Sequence, residues 1–251
     1  MQIIKGFKFI KAYASGKSHV KADLNLIMTM VNELDKNCDK KLKKKFNENP
    51  YSKLFYKQEN LKDTVLRSRY KKGTLGAELK TFWKNNTDDL FQKNFDISQT
   101  KGKKNIAFMK GLLNEHDIIH CVNKLDSTPL AEVSVLGFTL AKGFRLSFFY
   151  ICLASVLLAL KNSFGKKAIQ GSLFFKLKYM PVISVIRLIL EGYFNGKKTA
   201  WFMTVDWHSY LRTPIEEVRQ ELQIKEFPVW EEIKPLWYEL LTHYKKIDTR
   251  I

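Results

Sequence analysis

Apolar residues along this chain recur at three- and four-residue steps almost throughout, and no convincing run alternates at period two. That spacing is what one-sided helices require, and it leaves no segment from which to build a sheet. In VKADLNLIMTMVNEL (20–34), Val20, Leu24, Ile27, Met28, Val31 and Leu34 fall on one stripe. GTLGAELKTFWKNN (73–86) sets Leu75, Leu79, Phe82 and Trp83 on another, with Thr74 placed to cap its start. RTPIEEVRQEL (212–222) reads as a helix capped by Thr213, with Pro214 at its first position and Glu216 completing a capping box. The expected fold is all-α, a single-domain helical bundle. Residues 1–60 are expected to form an N-terminal helical extension of the same domain as 61–251.

Two segments are more apolar than a surface helix needs. LSFFYICLASVLLAL (146–160) has fifteen uncharged residues between Arg145 and Lys161. As a helix it extends about 22 Å, short of the roughly 30 Å hydrocarbon core of a bilayer. In YMPVISVIRLIL (179–190), Pro181 breaks the start and Arg187 interrupts the middle. Both segments suit core helices, and both equally suit the walls of a greasy site for a lipid tail.

The net charge of +18 raises nucleic acid or an anionic membrane surface as partners. Only seven of the 43 basic residues are arginine, the residue that bidentate phosphate and base recognition favours, and the lysines are scattered. No nucleic-acid partner is expected. The scattered lysines suit a solubilising surface first, and after it attraction to anionic lipid, at about 1 kcal/mol per well-placed lysine. Cys38, Cys121 and Cys152 have neither disulfide nor zinc-finger spacing, and the N-terminal apolar residues are interrupted by lysines. The expected location is cytoplasmic, peripherally associated with membrane.

The chemistry concentrates in HDIIHCVNKLDSTPLAE (116–132). On a helix, His116 and His120 project from one face a turn apart, as two nitrogen ligands for one ion would. The supporting helix would run over 103–123, with Ile106, Met109, Leu112, Leu113 and Ile119 on its buried side. A polar turn follows, and Thr128 and Pro129 signal a new helix that carries Glu132 back toward the pair. Asp117 is a fourth ligand or the group that orients one. Two imidazoles with one or two carboxylates suit a divalent ion, zinc first and iron(II) as the alternative. The residues alone also allow an ordinary histidine pair on a helix surface. His208 is a weaker candidate ligand, and His19 lies too far from the pair for the compact layout of metal phosphohydrolases.

The same stretch has the form H-D-x-x-H-x(11)-E and resembles the motif of the fourth coenzyme Q biosynthesis protein family (Coq-four). RYKKGTLGAELKTFWKNN is similar to that family's upstream G-T-x-G region, and AEVSVLGFTLAKG to the helix carrying its glutamate. GKKTAWFMTVDWHSYLRTPIEEVRQELQI is similar to its C-terminal V-D-W and T-P-x-x-E-x-R stretch. Four motifs stand in the right order over residues 65 to 225.

The resemblance implies an all-helical protein of ubiquinone biosynthesis, with His116, Asp117, His120 and Glu132 as metal-ligating and catalytic residues. It implies a metal-dependent carboxy-lyase that removes the C1 carboxyl of a polyprenylated 4-hydroxybenzoate-type intermediate. The implied partners are that polyprenylated aromatic lipid, an anionic membrane surface and other quinone-biosynthesis proteins. The rival expectation is a non-catalytic, lipid-binding scaffold in which the metal only pins two helices.

Overall fold

The computed structural model describes residues 44–45, 47–48, 50, 61–85, 114–143, 146–163, 180–200 and 202–248. The stripe at 20–34 and the first part of the supporting helix, 103–113, lie outside them. Over the described residues the fold is all-α: α1 (Leu61–Arg67), α2 (Leu75–Asn85), α3 (helical over 114–122), α4 (Pro129–Lys142), α5 (Leu146–Ser163), α6 (Val182–Lys198), a 3-10 turn at Phe202–Thr204, α7 (Trp207–Tyr210), α8 (Ile215–Glu221) and α9 (Pro228–Asp248). Among the described residues the only sheet-like pairing is one antiparallel bridge, Thr74 with Pro214.

Packing divides the chain into two interleaved units. One comprises 37–127 and 198–225, the other 1–36, 128–197 and 226–251.

In the first unit, α1 buries Leu61 and Val65, and α2 buries Leu75, Leu79 and Trp83. Two of the sequence motifs meet here. Leu75 N–H donates to the Thr213 carbonyl at 3.0 Å, Ile215 N–H to that of Gly73 at 2.9 Å, and Gly76 N–H to that of Leu211 at 2.9 Å. This pairing corrects the expected start of α8. Pro214 is extended (φ −52°, ψ 135°) and is itself the cap, without a side-chain hydrogen bond, so Thr213 does not cap and Pro214 is not the first helical residue. The bridge to Thr74 needs Pro214 extended, and tertiary pairing overrides the local capping signal. Thr74 stands at the cap of α2, but its hydroxyl donates backward to the Lys71 carbonyl at 2.7 Å. Asp206 caps α7 by accepting the His208 N–H, and Trp207 is buried with its indole N–H on the Phe202 carbonyl at 2.9 Å.

In the second unit, α4 buries Leu130, Val133, Val135 and Phe138, and α9 contributes Trp230, Ile233 and Trp237. The α9 N-terminus is capped by a residue of α6: Glu191 accepts from Val229 N–H at 2.7 Å and Trp230 N–H at 3.1 Å. Half-burial holds the Glu191 carboxyl above its usual range, against the pull of those two donors. Arg187 interrupts the apolar run of α6 but not the helix, which extends from Val182 to Lys198. Its guanidinium makes a two-pronged pair with Glu232, at 2.8 and 2.6 Å.

The two greasy segments are core on one face only. Tyr150, Ile151 and Ala154 of α5 and Val185 and Leu188 of α6 are buried. Phe149, Ile183, Leu190 and Phe194 stand 43–59% exposed. Among the described residues, no helix is long and apolar enough to cross a membrane.

Candidate metal centre

The histidine pair sits at the end of α3, and its surroundings explain why the helix stops there. Leu125 N–H returns to the His120 carbonyl at 2.9 Å, and Lys124 takes a positive φ of 56° to close the turn. The Val122 carbonyl, left over at the helix end, accepts from the guanidinium of Arg219 at 2.7 Å across 97 residues of sequence. Arg219 is itself buried, and Glu216 receives its Nε at 3.3 Å and the Lys124 ammonium at 2.9 Å. A cation at a helix C-terminus is favoured by the helix dipole as well as by the hydrogen bond. The T-P-x-x-E-x-R motif thus braces the histidine helix. Arg219→Met should lower stability by about 2–3 kcal/mol, since it strands a buried carbonyl and removes a charged donor. Chemical denaturation measures this, and a wild-type midpoint would refute the brace.

After the turn, Thr128 is extended (φ −76°, ψ 153°), its hydroxyl accepts the Ala131 N–H at 3.4 Å, and Pro129 begins α4. This start is as the sequence predicts. It puts Glu132 in the first turn of α4, where a carboxylate is also favoured by the dipole.

His116, His120 and Glu132 each offer a ligand atom, and these atoms lie within 4.8 Å of one another. His120 is buried, while His116 and Glu132 are half-buried. The two imidazoles meet edge to face with centroids 4.9 Å apart. Donors around one tetrahedral zinc, with bonds of 2.0–2.1 Å, lie roughly 3.3–3.5 Å apart. The three side chains are close enough that they could hold one ion, and two imidazoles with a carboxylate fit zinc or iron(II).

Asp117, the fourth residue of the motif, is buried and is not one of the three that converge. Its Oδ2 accepts the indole N–H of Trp83 at 2.7 Å, and its Oδ1 lies 3.5 Å from His116 Nδ1. The neighbouring Phe82 stacks on His120, centroids 5.6 Å apart and planes 26° apart. By their spacing alone Phe82 and Trp83 read as apolar stripe residues. The available signal was chemical: a buried tryptophan needs a partner for its N–H.

Cys121, beside His120, is buried. Burial first, and then the charges of Glu78 and Asp117, drive its thiol far above the ordinary range, so it stays protonated. It packs as a small buried residue and is not among the converging ligand atoms. His208 lies on α7, outside the cluster, and His19 falls outside the described residues.

Residues 27–228 match the family model described as Coenzyme Q (ubiquinone) biosynthesis protein Coq4. The match begins well inside the 1–60 segment, for which the sequence suggested no likeness. No curated protein matches the chain significantly. A crystal structure from Nostoc punctiforme PCC 73102, of a protein named for ubiquinone biosynthesis, is similar with a TM-score of 0.60 over 90% of this chain and 97% of that one. At 15% sequence identity the likeness concerns the fold.

Proposed function

The chain belongs to the coenzyme Q (ubiquinone) biosynthesis protein Coq4 family, and from that premise we propose that it is a divalent-metal-dependent carboxy-lyase. Its substrate is a polyprenylated 4-hydroxybenzoate-type intermediate, from which the C1 carboxyl is removed. The observation that carries the reading is the convergence of His116, His120 and Glu132. These three would hold the ion, zinc or iron(II), with Asp117 as a fourth ligand or the group that orients one. When bound, the ion supplies Lewis acidity that stabilises negative charge on the aromatic head as the carboxyl departs. The bond between C1 and the carboxyl breaks, its electron pair stays on the ring, and a proton from solvent replaces the carbon dioxide lost.

A metal-binding head group alone would accept many carboxylates, so selectivity must come from the tail. The exposed apolar side chains Phe149, Ile183, Leu190 and Phe194 offer a surface for it. The same residues, with the lysine-rich exterior, support peripheral association with an anionic membrane, where other quinone-biosynthesis proteins would be met. High salt or carbonate should then release the protein from membranes. Extraction by detergent alone would contradict peripheral binding.

The test of the metal centre is elemental analysis of the wild type beside His120→Ala and Glu132→Ala. One ion per chain is expected in the wild type and a small fraction of that in each variant. Equal content in all three would end the reading.

A further inference from the structure

We infer that Trp83 is a positioning residue of the metal centre, whose indole N–H fixes Asp117 so that Asp117 in turn fixes the His116 ring. The inference rests on the metal reading above and deepens it. Of the two roles the sequence leaves open for Asp117, ligand or orienter, it selects the second.

Asp117 is 2% exposed, and a carboxylate that far from water is tolerated only with donors aimed at it. Trp83, equally buried, supplies one to Oδ2 at 2.7 Å, the short end of the range and typical of a bond to a charged acceptor. That oxygen is committed to the indole. The other, Oδ1, faces His116 Nδ1 at 3.5 Å. A carboxylate beside Nδ1 favours the tautomer with its proton there and leaves the Nε2 lone pair for an ion.

Tryptophan suits this task for a physical reason. Indole is a donor only and does not titrate, so it competes neither for the ion nor for the proton on the imidazole. Its position is fixed by the helix that carries it: α2 packs against α1, and the Lys62 ammonium lies 5.8 Å over the Trp83 ring. The preceding residue, Phe82, stacks on His120. Consecutive residues of α2 therefore act on the two histidines separately, one by stacking and one through a carboxylate.

Cobalt(II) is the probe, because its visible bands report ligand geometry as well as occupancy. Its affinity and spectrum would be measured for the wild type, Trp83→Phe, Asp117→Asn and the double variant. Each single change should weaken cobalt binding by roughly 10- to 100-fold and alter the bands, the usual effect of removing an outer partner of a ligating histidine. The double variant should be no weaker than the worse single one, because the two residues act in series. A second measurement does not depend on how well Trp83→Phe folds. In a spectrum of ¹⁵N-labelled, metal-free protein, Asp117→Asn should move one of the five indole N–H resonances upfield. The inference is overturned if no indole resonance moves. It is also overturned if Trp83→Phe binds cobalt with wild-type affinity and bands while Asp117→Asn abolishes binding, which would make Asp117 a ligand. A wild type that takes up no cobalt removes the metal reading itself, and this inference with it.

Discussion

Gly192→Ala should destabilise the protein by about 3 kcal/mol or more, the upper end of what a single added methyl does in a packed interior. A Cβ at Gly192 of α6 would stand 2.0 Å from the Ser134 carbonyl oxygen of α4 and 3.0 Å from the Phe138 nitrogen. At Gly137 of α4 it would stand 2.2 Å from the Ile189 oxygen of α6. The obstacles are main-chain atoms of helices, so no side chain can rotate away. The two helices must separate, and each would lose contacts along its buried face. For a chain of this size the melting temperature should fall by roughly 6–12 °C, read by thermal denaturation. Phe194→Ala, at an exposed position on the same helix, should change it far less. A Gly192→Ala protein that melts with the wild type would mean that α4 and α6 do not cross this closely in solution.

That crossing was invisible in the sequence, and the reason generalises. Periodicity reports which face of a helix is apolar, and it carries the all-α class and the helix at 75–85; proline and capping signals mark the starts at Pro129 and Val182, but α6 runs on to Lys198, eight residues past the apolar stretch that ends at 190. Local chemistry was legible as well: Thr128 and Pro129 start a helix because a hydroxyl and a ring act on their own next turn. The His116, His120 and Glu132 cluster was legible for the same reason, since it spans a single helix, turn and helix. Features that depend on distant partners were not. Glycines spaced along α4 and α6 look like weak helix formers until the helices are laid together. Pro214 gives up its place inside α8 to pair with Thr74, 140 positions earlier. Trp83 reaches Asp117 across 34 residues and Arg219 reaches Val122 across 97. Each of these obeys a rule as simple as the capping rule, but the partner that invokes it is set by tertiary packing.

His116→Ala should abolish loss of the ring carboxyl while leaving the helical CD signal unchanged. His116 is the half-buried member of the pair, so its truncation opens little core, whereas one of the three ligand atoms that converge among the described residues disappears. The effect should fall on kcat and on metal content. Shortening the substrate's tail should act differently. Each CH₂ removed from water contributes about 0.8 kcal/mol, so a fully buried five-carbon unit amounts to about 4 kcal/mol, an upper bound near a thousandfold in affinity. Substrates with zero, two and more isoprene units should therefore differ first in KM, and mass spectrometry of the ring product follows both effects. Trimming Leu190 or Phe194 to alanine should raise KM for long tails and leave the tail-free substrate unaffected. The contrast separates the two readings of the family's role. A folded, metal-loaded wild type that binds the prenylated substrate tightly and converts none of it, with zinc or iron supplied and oxygen present, would make the protein a lipid-binding scaffold. In that case the motif at 116–132 braces the turn between α3 and α4, and His116→Ala should instead show its effect as a lower melting temperature. Chemistry predicts lost turnover with an unchanged fold, and bracing predicts a weakened fold with no turnover to lose.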